Sequence, residues 1–486
     1  MSEEILVNVT PRETRVALVE NGVLQEIFIE RAGRRGLVGN IYKGRVCRVL
    51  PGMQAAFVDA GLDRTAFLHI SDIQATTLSP REDAPIENIT DWLTEGQEVL
   101  VQVIKDPLGT KGARLTTQIT IPSRYLVFLP KTPTLGISQR IEDERERLRL
   151  RDIVRGWMQS GQGEGYIVRT AAEGVPEEHL QADRDFLRRL WASVWEKAQT
   201  VEAGIVHEDL PLVLRTLRDL AGGDVERMRI DSRSTYERAK AFAEQFVPEM
   251  VDRLAYYPGE RPIFDLYGVE DEIQKALERR VQLKSGGHLV IDQTEAMTTI
   301  DVNTGAFVGH RTLEETILKT NLEAAQAIAR QLRLRNLGGI IIIDFIDMRD
   351  PEHRRLVLRS LEKSLAKDHA KSYICEVSSL GLVEMTRKRT RESLEHVLCE
   401  PCPTCHGRGS LKTPETVCYE IFREILREVR QFEASEFLVL ASQEVVDRLL
   451  DEESTSVAEL ETFIGKPIRF QVESLYTQEQ FDVVPI

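Results

Sequence analysis

Residues 297–303, MTTIDVN, and residues 338–347, GGIIIIDFID, decide how this chain is read. Each is rich in β-branched residues and each runs into a carboxylate: Asp301, with Asn303 two positions on, and Asp344, with Asp347 three positions on. Between them Leu318, Leu322, Ala325, Ala329 and Leu332 recur at spacings of four and three, the stripe of an amphipathic helix. Thr312 and Glu315 form a capping box at its start, and Gly338-Gly339 is expected to end it. HLVID (288–292) reads as a preceding strand, with a short turn at 293–295. GIIIIDF, apolar throughout, predicts a strand covered on both faces.

Strand–helix–strand order implies parallel neighbours. Parallel strands end at one edge, where open α/β sheets bind ligands. Asp301 and Asp344 are therefore expected side by side. Such a pair either holds a hard cation such as Mg2+, which takes one or two carboxylates plus waters and phosphate oxygens, or consists of ordinary acids where strands meet the surface. In the first case the cation would polarise a phosphoryl oxygen and activate a water. Asn303 shares a face with Asp301 and is placed to hold a ligand or phosphate through its amide.

Upstream, RVALVENGVLQEIFIER carries Asn21-Gly22 between apolar runs, the signal of a β-hairpin. Residues 38–120 hold five short strands with glycine at their corners and a polar loop around 74–92, which suits a closed barrel of the OB type. Phe57, and Phe67 with His69 on the next strand, lie among Lys43, Arg45, Arg64, Lys111 and Arg114. Aromatics among cations make a single-stranded nucleic-acid platform; the other reading is that both phenylalanines are barrel core. Residues 121–215 read as charged helices with one strand and turn, GYIVRTAAEGV, where Arg169 and Thr170 either clamp a phosphate or are an exposed strand end.

The net charge of −15 speaks against a nucleic-acid partner at long range, but Arg333 with Arg335, and Arg387, Lys388, Arg389 and Arg391, bunch locally. No run approaches the ~18 apolar residues of a membrane span. MSEEILVNV lacks the features of a signal peptide, so a cytoplasmic protein is expected. Of six cysteines, Cys399, Cys402 and Cys405 cluster in HVLCEPCPTCHGRGS, favouring metal over disulfides. Structural zinc needs four ligands. Either Cys399 and His406 complete the set around Cys402 and Cys405, or a second subunit donates an equal pair across a two-fold contact.

The pattern GNIYKGRVCRVLPGMQAAFVDAGLDRTAFLHISDI (39–73) resembles the S1 RNA-binding domain in the form carried by the ribonuclease E/G family. GGHLVIDQTEAMTTIDVNTG, NLEAAQAIARQLRLRNLGGIIIIDFIDM and EMTRKRTRESL, in that order, are similar to the catalytic module of the same family. The resemblance implies an α/β multidomain chain. Residues 1–37 plus 215–280 would form a ribonuclease-H-like unit without its usual catalytic carboxylates, interrupted by an S1 barrel (38–120) and a 5′-sensor module (121–214). A DNase-I-like catalytic module (281–395), a zinc link (396–412) and a small α+β C-terminal domain (413–486) would follow, as in the short form of the family without a C-terminal scaffold.

It further implies Mg2+ on Asp301 and Asp344 with Asn303 orienting, and RNA contacts at Phe57, Phe67 and Lys111. Arg169, Thr170 and main-chain groups near Val127 would hold a 5′-monophosphate. One zinc would be shared by Cys402 and Cys405 of two protomers, giving a homodimer or higher oligomer. The expected activity is single-strand-specific endoribonuclease cleavage leaving 5′-phosphate and 3′-hydroxyl ends, in small-subunit ribosomal RNA 5′-end maturation and mRNA turnover. A non-catalytic RNA-binding protein or RNA chaperone, or a metal-dependent DNase, would use many of the same residues.

Overall fold

Left-handed backbone at Asn21 (φ 49°) and Gly22 (φ 78°) makes the hairpin the sequence places there. It joins β2 (Glu13–Glu20) to β3 (Val23–Arg31), and β1 (Glu3–Val9) pairs antiparallel with β2. The computed structural model describes residues 3–33, 35–74, 88–107, 111–160, 163–220, 225–305, 313–389 and 391–486. Most of the 74–92 loop and Thr312 of the capping box lie outside the described residues. The chain divides into two units, Met1–Val397 and Leu398–Ile486.

In the first unit, β4 (Ile41–Leu50), β5 (Ala55–Asp59), β6 (Ala66–His69), β7 (Glu98–Lys105) and β8 (Arg114–Thr116) run in the order β4-β5-β6-β8-β7, and β7 pairs back onto β4. The β4–β7 pairing closes the sheet into a barrel. Val46, Ala56, Val58, Ala66, Leu68, Val101 and Leu115 fill the interior. Gly112 permits the β6–β8 approach: a Cβ there would sit 2.1 Å from the Thr65 carbonyl oxygen.

Next come β9 (Ile121–Pro122), β10 (Leu126–Leu129), β11 (Leu135–Ile137) and β12 (Gly165–Val168), one sheet in the order β11-β12-β10-β9. The sequence predicted a single strand here. The others are two to four residues long, too short to display a period of two. Helices α1 (Glu144–Ser160) and α2 (Glu177–Thr200) cover this sheet, with Phe128, Tyr166, Leu150, Val154 and Leu187 in the shared core. β13 (Gly204–His207) then adds to the barrel at β4.

After α3 (Leu212–Asp219), β14 (Val225–Ile230) returns parallel to β1, and β15 (Leu254–Tyr256) follows α4 (Arg233–Phe246). The order β15-β14-β1-β2-β3 thus combines segments more than 200 residues apart in sequence. Helix α5 (Val269–Leu277) leads to β16 (Arg280–Gln282). The strands β17 (His288–Gln293) and β18 (Met297–Asn303) precede α6 (Leu313–Leu334), β19 (Gly339–Asp344), α7 (Pro351–Leu365), β20 (Ser372–Val377) and β21 (Leu382–Arg387). Their order is β16-β17-β18-β19-β21-β20.

Two expectations need correction. Helix α6 ends in a Schellman motif at Asn336, not at the glycines: Asn336 is left-handed (φ 49°), Leu337 N–H donates to the Leu332 carbonyl (3.0 Å) and Asn336 N–H to that of Arg333 (3.2 Å). And β19 is covered on one face only. Ile341 and Ile343 join α6 and α7 in the core, whereas Ile340 is 49% exposed on the other face.

In the second unit, β22 (Phe437–Ala441) lies between parallel β23 (Ile468–Val472) and antiparallel β24 (Phe481–Pro485). Helices α8 (Pro414–Gln431), α9 (Gln443–Leu450) and α10 (Ser454–Ile464) bury Val417, Ile421, Ile425, Val445 and Leu449 around the sheet. No described helix in either unit is long and apolar enough to cross a membrane.

Candidate active site and RNA-binding surfaces

The β18–α6–β19 crossover puts its strands parallel and in direct contact, and the register sets Asp301 opposite Asp344. Residues alternate along a strand, so with Ile300, Val302 and Ile343 in the core both carboxylates stand on the open face of the sheet. Asn303, on the same face, donates from Nδ2 to Asp301 Oδ2 at 2.8 Å, which fixes the direction of that carboxylate. Partial desolvation, then the charges of Asp301 and Asp347, push the Asp344 pKa up from its ordinary value. A cation held by Asp301 and Asp344 would relieve such repulsion, and an all-oxygen set with open solvent beside it suits Mg2+. Asp347, which is not among the ligands expected from the sequence, is near enough to act on Asp344, and it lies against Gly381 in the β20–β21 turn.

On the barrel, Phe57 and Phe67 are a cross-strand pair with ring centroids 6.1 Å apart, and His69 stacks on Phe67 at 6.3 Å. Their neighbours Ala56, Val58, Ala66 and Leu68 fill the interior, while both phenylalanines remain half-buried on the outside. That settles the choice left open by spacing: they are not barrel core. Arg114 is the register partner of Phe67 and is held by Asp72 at 2.7 Å. Lys111, exposed, precedes the Gly112–Ala113 segment to which Phe67 N–H bonds. The platform therefore combines ring faces with cations at its margin.

In the next sheet, buried Asp183 of α2 accepts from Ser123 and from the N–H groups of Tyr125 and Leu126, and so anchors the start of β10. Burial raises its pKa despite those donors. Arg169 N–H then bonds to the Tyr125 carbonyl at 2.8 Å, continuing the β10–β12 ladder. The Arg169 side chain is braced by the Ser123 carbonyl and by Asp219 at 2.7 Å. Thr170 is exposed, and its hydroxyl meets that of Ser138 at 2.8 Å. Val127 pairs with Ile167, two register steps from the Tyr125–Arg169 pair and so on the same face. Ser138 and Asp219 were missed in the sequence, since only the fold brings them to the Arg–Thr turn.

Cys402 and Cys405 sit on a tight turn closed by His406 N–H to the Cys402 carbonyl (2.8 Å), with His406 (φ 50°) and Gly407 (φ 84°) left-handed. The backbone N–H groups of Cys405 and Thr404 pull the Cys402 thiol pKa down, favouring the thiolate that metals require. Among the described residues no three His, Cys, Asp or Glu side chains gather into a metal site. Cys418 is core, its thiol pushed up to about 11 by burial.

Three cations of the basic clusters are buried, while Lys388 and Arg389 remain exposed. Arg333, Arg335 and Arg387 are 5%, 6% and 5% exposed. Arg333 is paired with Glu26 and Glu20 of the first sheet, and Arg387 with Asp368. Arg391 lies over the Phe28 ring at 3.6 Å. Arg333 and Arg391 thus tie the catalytic module to β2 and β3, whereas Arg387 and Arg335 are held within that module.

Comparison with known proteins agrees with this arrangement. The S1 RNA binding domain family matches residues 37–117, the Ribonuclease E/G family residues 120–390, and the RNase E/G thioredoxin-like domain residues 401–486. Ribonuclease G of Salmonella typhimurium (strain SL1344) is 60% identical over 489 residues, and ribonuclease G of Escherichia coli (strain K12) 59%, each covering all of both chains. Ribonuclease E of Escherichia coli (strain K12) is 38% identical over 95% of this chain but only 44% of its own length. With an S1 barrel, a paired-carboxylate sheet edge and full-length relatives of this closeness, the chain belongs to the ribonuclease E/G family of endoribonucleases.

Proposed function

We propose that this endoribonuclease cleaves single-stranded RNA at the Asp301–Asp344 edge with Mg2+, and that it favours strands carrying a 5′-monophosphate. The observation that carries this reading is the register pairing of Asp301 with Asp344, together with the Asn303 amide bound to Asp301. Mg2+ bound there would polarise a phosphoryl oxygen and lower the pKa of a water. The protein's own part is to hold both carboxylates on an open face, to orient one of them through Asn303, and to bring a strand to them. Water attacks phosphorus and loses its proton to solvent, while the P–O3′ bond breaks and the 3′ oxygen takes a proton. One product then ends in a 3′-hydroxyl and the other begins with a 5′-phosphate.

Phe57, Phe67 and Lys111 would hold bases and backbone, and the Arg169–Thr170 turn with Val127 would take the terminal phosphate. Arg supplies a fork for two oxygens and Thr170 a hydroxyl donor. A ribonuclease-H-like unit of residues 1–37 and 215–280 and a DNase-I-like catalytic module belong to the same reading. So does a zinc shared by Cys402 and Cys405 of two protomers in a homodimer: a pair of thiols on one chain is half of a tetrahedral set. Closeness to ribonuclease G points to ribosomal RNA 5′-end maturation and mRNA turnover as the physiological setting.

The test is cleavage of a 5′-monophosphorylated single-stranded RNA with and without Mg2+. Asp301→Asn is expected to bind that RNA like the parent protein and to lose Mg2+-dependent cleavage; full activity in this variant overturns the site. Matched RNAs with 5′-monophosphate or 5′-hydroxyl test the sensor. A preference that survives both Arg169→Ala and Thr170→Val counts against the turn as the phosphate site.

A further inference from the structure

Beneath the catalytic sheet, in the apolar core, sits one side-chain amide. Asn321 of α6 is completely buried. Its Nδ2 donates to the Ile346 carbonyl at 2.8 Å, and its Oδ1 accepts from the Ile346 N–H at 3.1 Å. Ile346 lies in the segment that leaves β19, between Asp344 and Asp347. This segment, residues 345–350, has no regular secondary structure. A second residue holds it further along: Arg354 Nε donates to the Met348 carbonyl at 2.8 Å.

An asparagine can both give and take a hydrogen bond, so it can stand in for a missing strand partner. Here it serves both backbone groups of a single residue. A leucine in its place would bury more apolar surface but leave the Ile346 N–H and C=O unpaired under the sheet, which is costly. The two bonds set where the chain turns after Asp344, and hence where that carboxylate and Asp347 stand relative to Asp301.

We propose that Asn321 is a positioning residue for the divalent-metal site: by pinning Ile346 from below, it fixes the exit of β19 and with it the spacing of Asp301, Asp344 and Asp347. The proposal rests on the reading of Asp301 and Asp344 as the cation-binding pair. Asn321 touches neither RNA nor metal and acts only through the turn. Misplacing a reacting group by about 1 Å can cost on the order of 10²-fold in rate, so a loosened turn has a visible consequence.

The experiment compares Asn321→Ala with the parent protein in the full chain, by Mg2+ titration of RNA cleavage and by hydrogen exchange of the peptide spanning 345–348. The expected result is a kcat lower by roughly ten- to a hundredfold, a raised Mg2+ midpoint, and an unchanged KM for RNA. Faster exchange should be confined to the turn, with β17 and β18 still protected. An unchanged kcat and Mg2+ midpoint despite faster exchange overturns the proposal. Faster exchange across the whole sheet, with KM moving too, also overturns it by making Asn321 an ordinary core residue.

Where Asn321→Ala does not fold, Arg354→Ala decides. It releases the other end of the same turn from an exposed position and should move the Mg2+ midpoint in the same direction; no shift overturns the proposal. Asp301→Asn measured in parallel separates the two claims. If it retains full activity, the metal-site reading itself fails; if it is inactive while Asn321→Ala is unaltered, only the role of Asn321 fails.

Discussion

Two half-buried rings on the barrel show how much a single residue's surroundings decide. Phe67 has core neighbours on both sides, Ala66 and Leu68, yet turns outward beside Phe57, His69 and Arg114. Phe67→Ala therefore tests stacking and packing against each other by magnitude. Loss of base stacking is worth roughly 1–3 kcal/mol, about a five- to 150-fold fall in affinity for single-stranded RNA. Loss of a core phenylalanine would instead destabilise the barrel by about 3–5 kcal/mol. The expected outcome is the first, measured as RNA affinity at fixed salt, with the barrel's unfolding little changed. Phe67→Leu, which keeps apolar volume but no ring face, should weaken RNA binding in the same direction. The same logic holds at Arg169. Its brace of Ser123 carbonyl and Asp219 carboxylate holds the guanidinium in one orientation.

Among the elements, β19 depends on a buried ion pair. Arg387 of β21, the register partner of Gly339, donates to both oxygens of Asp368 at 2.6 and 3.0 Å and also to the Leu337 carbonyl at 2.8 Å. Removing one partner of such a pair leaves a buried charge uncompensated and typically costs about 3–5 kcal/mol. Arg387→Leu should accordingly speed hydrogen exchange across β19 and β21, and Arg387→Leu with Asp368→Leu should restore much of the lost protection. Equal exchange in the single variant and the parent would show that the pair contributes nothing to the sheet. This pair also marks what the sequence could and could not reveal. The crossover from β18 to β19 was legible because the helix stripe and the β-branched runs have distinct periods, and parallel strands must end together. The open face was not legible, since four consecutive isoleucines carry no alternation. Nor was the fate of the basic cluster, because Arg387 finds its acid nineteen residues away through the fold. The sensor strands were too short to declare themselves, and Asn336 took the helix cap that the adjacent glycines seemed to offer.

At the scale of the whole molecule, chemistry is divided among sites that lie far apart in sequence, and the proposed zinc link is one of them. Cys402 and Cys405 supply two thiols on an exposed turn, with the Cys402 thiol tuned downward by backbone donors. No third protein ligand gathers there among the described residues. Under the proposed reading, Cys402 and Cys405 of each of two copies would hold the zinc, because an isologous contact gives each chain the same role. The proposed link has a quantitative consequence: it would require one zinc for every two chains and make self-association depend on the metal. Cys402→Ser, or a zinc chelator added to the parent protein, should each lower the mass measured by light scattering, and zinc per chain should fall from about one half toward zero in the variant. One zinc per chain with an unchanged mass in Cys402→Ser would place the metal elsewhere. If cleavage of short RNAs is retained when association is lost, the Asp301–Asp344 edge is complete within one chain; if it is lost as well, the edge depends on the second copy.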